Sequence, residues 1–201
     1  NDLLVFPDQK VGELYELLYY RRLPEANARY SVVTGNGNTA IGANTMTSGT
    51  TAANNTIVGT HAATAMTDGI GNTISGTVSA IALTTGDYNN TLGYGAGYAI
   101  TTGDENICIG NSAALALTTG SDNIAIGSNA LNTQTTVTGE IAIGFEALKV
   151  ASNAGSNVAV GYQAGKALTS AIGVVLMGYQ AGDAITTGDT NICVGGFSMD
   201  S

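Results

Sequence analysis

Ten glycines constrain this chain more than any other feature. Gly42, Gly59, Gly76, Gly93, Gly110, Gly127, Gly144, Gly161, Gly178 and Gly195 follow one another at intervals of 17 with no insertion. A fixed period of this length marks a pile of equivalent units, none of which buries a core alone. Four residues before the glycine stands Asn in eight of the ten copies, the exceptions being Glu140 and Val174. Asn at such a place either stacks amide on amide along the pile or takes a left-handed turn. Neither role calls for a ligand.

The three residues between Asn and Gly read as a strand. Its first position begins Thr39, Thr56, Thr73, Asn90 and continues Ile107, Ile124, Ile141, Val158, Val175, Ile192. Its third runs Ile41, Val58, Ser75, Leu92, Ile109, Ile126, Ile143, Val160, Met177, Val194. Side chains alternate along a strand, so these two rows share a face and the middle position takes the other. Both sets are largely apolar, the pattern of parallel strands covered on both sides. One cover is the coil's own interior and the other is expected to be a neighbouring subunit. The middle row of Ala40, Ile57, Ile74, Cys108, Ala125, Ala142, Ala159, Leu176 and Cys193 is read as the seam with that subunit.

The second half of each repeat runs A-x-x-A-[LI]-T-T-G in its clearest copies, as in Ala113 to Gly120. It supplies a small row (Ala62, Ala96, Ala113, Ala130, Ala147, Ala164, Ala181) and a large row (Met66, Leu83, Ile100, Leu117, Leu168, Ile185). The expected unit is a coil of two strands and two turns, and the fold an all-β parallel β-solenoid of ten 17-residue coils. At about 4.8 Å per coil, nine steps span roughly 43 Å.

Composition supports a rod. Charged residues are only 10% of the chain, against about 25% in an ordinary globular domain. Residues 35–201 carry Lys149 and Lys166 against ten acids, and an acidic rod repels phosphate, so nucleic acid is not an expected partner. No run of about 18 apolar residues is present, which excludes an insertion in a membrane as a helix.

Residues 1–34 differ. They hold Phe6, Tyr15, Tyr19, Tyr20 and Tyr30, five of the chain's twelve aromatics. Asp8 caps a predicted helix that ends before Pro24, with Val11, Leu14 and Leu18 as its apolar stripe. The segment is expected to form a short helical cap, or to dock on other proteins of its assembly through Phe6, Tyr15, Tyr19, Tyr20, Arg21 and Arg22, since Tyr and Arg are favoured interface anchors. The domain division is therefore 1–34 and 35–201.

Few residues invite chemistry. Cys108 and Cys193 share one repeat position five coils apart, too far for a disulfide and too few for zinc. His61, the single histidine, sits in a turn with no partner for a catalytic triad. Asp87, Asp104 and Asp189 share a turn position, with Glu105 and Asp122 at the next; solvated carboxylates are the expectation and a calcium ladder the alternative. No other cofactor is expected. Tyr94, Phe145, Tyr162 and Tyr179 each follow a repeat glycine, three of them in successive coils. They form either a stiffening stack or a surface that binds sugar rings.

The N-x-A-I-G core, as in Asn123-Ile124-Ala125-Ile126-Gly127 and Asn157-Val158-Ala159-Val160-Gly161, resembles the head repeats of trimeric autotransporter adhesins and the related repeats of bacteriophage fibre proteins. The resemblance covers about residues 38–201. It implies a left-handed β-roll, three chains around one axis, and a binding or spacer role without enzymatic activity. A period of 17 is longer than the usual adhesin head repeat, and neither coiled-coil stalk nor β-barrel anchor is visible. These departures favour a fibre, spike or capsid decoration on a virion surface that aids attachment to host glycan or protein. The alternatives are a fragment of a bacterial surface adhesin, an ice-binding solenoid suggested by the Thr rows, and a polysaccharide-cleaving tailspike. Thr-Thr pairs that point to opposite sides argue against the ice-binding solenoid. Acids on turns, without an obvious catalytic pair, argue against the tailspike.

Overall fold

A computed structural model describes residues 35–49, 51–150 and 155–199. Ten three-residue strands, β1 (Thr39–Ile41), β2 (Thr56–Val58), β3 (Thr73–Ser75), β4 (Asn90–Leu92), β5 (Ile107–Ile109), β6 (Ile124–Ile126), β7 (Ile141–Ile143), β8 (Val158–Val160), β9 (Val175–Met177) and β10 (Ile192–Val194), form one parallel sheet in sequence order. Register is in step throughout, each residue pairing with the one 17 later, as Ile107 with Ile124 and Ile124 with Ile141. The chain is a β-solenoid, and no helix occurs among the described residues. The expected N-terminal helix and its docking residues lie outside them. A coil is numbered here by the strand and glycine that end it, so coil seven is residues 128–144.

The repeat glycine is required twice over. Its φ lies between +120° and +145° in all ten copies, a region closed to L side chains. It also lies against the backbone of the next coil: a Cβ on Gly110 would stand 2.7 Å from the carbonyl carbon of Gly127. The glycine column is thus the line along which successive backbones touch.

The second half of the coil is not a strand. It is a run of turns, linked to the next coil by bonds such as Ala80 N–H to Ala96 O (2.9 Å) and Thr84 N–H to Thr101 O (2.9 Å). Left-handed residues two and four places past the glycine break the extended path, among them Ser112 and Ala114, Asn129 and Leu131, and Glu146 and Leu148. The β-propensity pattern gave no sign of these bends, because only some of the copies place glycine there.

The interior is built from aligned rows. Met66, Leu83, Ile100, Leu117, Leu168 and the alanines 62, 96, 113, 130, 147, 164 and 181 are all fully buried. A row four residues past the glycine, overlooked in the sequence, completes the core with Ala63, Ala80, Ala114, Leu131 and Leu148. Its volumes complement the strand's middle position: Leu148 is paired with Ala159 in coil eight, whereas coil nine has Gly165 beneath Leu176. A Cβ on Gly165 would lie 2.5 Å from Leu176 Cδ1 and 3.0 Å from Leu148 Cδ2.

Candidate functional site

The middle strand position cannot be a seam between chains. Ile57, Ile74, Cys108, Ala125, Ala142, Ala159 and Leu176 are wholly closed inside their own coil, and Cys193 is 2% exposed. Ala40 is exposed, but it belongs to the first strand of the stack. The strand alternates as expected, and the side facing the buried alanine and leucine rows is the middle one. Cys108 therefore contacts core atoms, and burial pushes its thiol up to about 12. Burial raises the Cys193 thiol as well.

What the sheet shows to solvent is the other pair of rows. In coils five to eight both flanking positions are half-buried around a buried centre, from Ile107 and Ile109 to Val158 and Val160. Towards coil ten they become open, with Met177 44%, Ile192 73% and Val194 68% exposed. Coils one to four present the same face with Thr39, Thr56, Thr73 and Asn90, all exposed, in the first row. The outer face is thus polar-edged at one end and continuously apolar at the other.

Beside the sheet run three polar ladders. Asn55, Asn72, Asn89, Asn106 and Asn123 are buried and chained. Asn72 Nδ2 donates to Asn55 Oδ1 at 3.0 Å and to Gly86 O at 2.9 Å, while its backbone N–H meets the same Oδ1 at 2.8 Å. Of the two roles open to Asn, amide stacking is the one used. The Thr row is also spent internally: Thr84 Oγ1 donates to Thr101 O (2.9 Å) and Thr118 Oγ1 to Thr135 O (2.7 Å). The protons of those hydroxyls are thus given to the next coil.

The acidic turn row acts on backbone. Asp87 Oδ1 accepts from Ile70 N–H (2.7 Å), Asp104 Oδ1 from Asp87 N–H (2.8 Å) and Asp189 Oδ1 from Ile172 N–H (2.9 Å). Each carboxylate caps a donor of the preceding coil. Among the described residues no group of three or more His, Cys, Asp or Glu side chains is placed to hold a metal ion. His61 lies in a left-handed turn with φ +56°, and its Nε2 is 3.0 Å from Asn44 Nδ2.

Three of the four aromatic residues form a stacked column. Phe145 and Tyr162 stack with centroids 5.2 Å apart at 17°, and Tyr162 and Tyr179 at 5.0 Å and 6°. Phe197 meets Tyr179 edge-on at 5.2 Å. Within the column the rings cover one another's faces, so Tyr162 offers its edge to solvent. Tyr94, 60% exposed, lies three coils before this run. Next to the rings, Gln180 Nε2 donates to Gln163 Oε1 (3.1 Å) and Gln163 Nε2 to Glu146 Oε2 (2.7 Å). Glu146 also binds Lys149 at 2.5 Å and Lys166 at 2.7 Å. These ammonium groups, Lys149 first, hold its carboxyl down at about 2. The only two cations of residues 35–201 are thus committed to one glutamate.

Comparison with protein-family models, with curated proteins and with solved structures returns no match for this chain.

Proposed function

We propose that the chain is a subunit of a non-enzymatic, homotrimeric fibre, spike or decoration on the surface of a bacteriophage particle, with the outer face of the sheet as its seam. The observation that carries this reading is the pair of apolar rows from β5 to β10, Ile and Val but for Met177, exposed or half-buried on one face of the ten-stranded sheet. Apolar surface of this extent favours a partner over water. The knobs repeat at coil pitch, and another copy of the same chain repeats at that pitch by construction. The polar start of the face, Thr39 to Asn90, makes a parallel arrangement of copies better matched than an antiparallel one. A three-residue strand is about 10 Å wide, so three such faces fit around one axis.

The supporting pattern is structural throughout: side-chain amides, hydroxyls and carboxylates bind neighbouring coils. Asp87, Asp104 and Asp189 each spend a carboxylate oxygen on the backbone of the preceding coil, which disfavours the tailspike reading.

Light scattering on chain 1–201 tests the assembly. A mass near three times 20.2 kDa is expected, falling to one chain in Ile124→Lys/Ile141→Lys with the circular dichroism of the folded coil retained. A wild-type monomer overturns the seam. Location is tested separately, by asking whether the chain sediments with purified phage particles or with washed bacterial envelopes; the latter outcome selects the adhesin reading.

A further inference from the structure

Coil seven departs from the repeat at three interior positions at once. Gln134 stands in the Leu/Ile row, Val137 replaces the glycine of T-T-G, and Glu140 replaces the ladder Asn. In coil four the equivalent Leu83 and Asn89 flank Gly86, whose Cβ would lie 2.7 Å from Leu83 Cδ1 and 3.1 Å from Asn89 Nδ2. By the repeat, Gln134 and Glu140 flank Val137 in the same way. Gln134 is 1% exposed and Glu140 fully buried. The buried polar side-chain atoms without a partner among the described residues are Gln134 Nε2, Gln134 Oε1 and Glu140 Oε2, all in this one coil.

The ladder shows what is missing. Each Asn offers an Nδ2 donor to the Oδ1 before it, as Asn123 does to Asn106 at 3.0 Å. At coil seven the Glu140 backbone N–H still reaches Asn123 Oδ1 (2.9 Å), and Asn157 Nδ2 donates to Glu140 Oε1 (3.1 Å). The side-chain donor to Asn123 is absent, because a carboxylate has none.

We propose that Glu140 makes coil seven a proton-controlled joint in the rod: the protonated carboxyl supplies through its O–H the ladder donor that Asn supplies elsewhere, and the carboxylate leaves the ladder broken. The step is uptake of one proton by Oε2, with no other change of bonding. Among the described residues, its ladder neighbours Asn123 and Asn157 and, by the repeat, Gln134 and Val137 of its own coil carry no titratable side chain. Burial pushes the carboxyl up to about 7, opposed by the hydrogen bonds from Asn157, and no charged group contributes to the shift. The sign follows from proton linkage. The folded joint holds its proton where an unfolded glutamate has lost it, so stability is greatest at acid pH and declines as pH rises from about 4.5 through about 7.

Native-state hydrogen exchange, normalised to intrinsic rates, tests the joint. The Ile141 N–H, bonded to Asn157 O at 2.9 Å, reads coil seven, and the Ile107 N–H, bonded to Asn123 O at 2.8 Å, serves as control in coil five. Between pH 5.5 and 8.5 the protection factor at Ile141 is expected to fall by more than threefold, and up to about thirtyfold, relative to Ile107. In Glu140→Asn and Glu140→Gln, which carry a permanent donor, that fall is expected to vanish. A wild-type change below threefold, or an equal change in either variant, overturns the proposal.

Discussion

Leu176 lies against the bare Cα of Gly165, filling the space that Leu148 fills from the other side in the coil before. Coil eight pairs a large turn residue with a small strand residue, and coil nine reverses them. Between these two coils the core exchanges volume from one row to the other. Truncation of Leu176→Ala is expected to cost about 2–5 kcal/mol, and Gly165→Leu alone to destabilise by overpacking. The double variant Gly165→Leu/Leu176→Ala copies coil eight, where Leu148 holds φ +48°, and is expected to recover most of the loss. Urea unfolding of the four proteins gives the coupling energy; simple additivity would show that the two sites do not share one volume.

Replacement of a column glycine is expected to be far harsher than its size suggests. Gly110→Ala places a methyl 2.7 Å from the backbone of Gly127, at φ +131°. Both the strain and the contact oppose it, and a loss above about 3 kcal/mol is expected. Gly139→Ala, at φ +74° with only Ser156 Oγ nearby at 3.7 Å, is the milder comparison. Thermal unfolding of the two variants side by side checks the difference.

Val78 is a β-branched residue at φ +50°, a conformation that Asn tolerates and Val resists. Its side chain is only half-buried, so little packing is lost on exchange. Val78→Asn is expected to stabilise by about 1 kcal/mol, or about 2–4 °C in melting temperature. An unchanged or lowered melting temperature would mean that Val78 packs to more effect than its exposure suggests.

Glu146 sets a second pH dependence, of opposite sign to that of Glu140. Its carboxyl is lowered from 4.5 to about 2 by Lys149 and Lys166. A lowered acid contributes stability that is complete above its unfolded value and lost as pH falls. Melting temperature is therefore expected to drop between pH 4.5 and 2, and to drop less in Glu146→Gln. The same fall in both proteins would show that the lysines do not favour the ionised form.

The period, the strand positions and the Asn ladder were legible because each rests on one residue type recurring at a fixed place. Which side of the strand faces inward was not. Alternation separates Ala125 from Ile124 and Ile126 but does not say which of them meets the coil's interior. The deciding signal was the row of Leu131, Leu148, Gly165 and Gly182, whose sizes vary against those of the strand centres. The second strand was expected for a similar reason: Ala and Leu at alternate places suit a strand, yet Leu131 and Leu148 occupy left-handed turns. The buried role of Glu140 was visible only as an exception to the Asn rule.

The glycine column fixes more than a turn. Because adjoining coils meet backbone to backbone there, the spacing between levels does not depend on which side chains each level carries. Length is then quantised: adding or removing 17 residues changes the rod by one step of about 4.8 Å, while any other insertion throws glycine, Asn and Leu off their lines together. Such a chain works as a ruler whose graduations are counted in whole repeats, and its reach can be reset without redesign of what lies at either end.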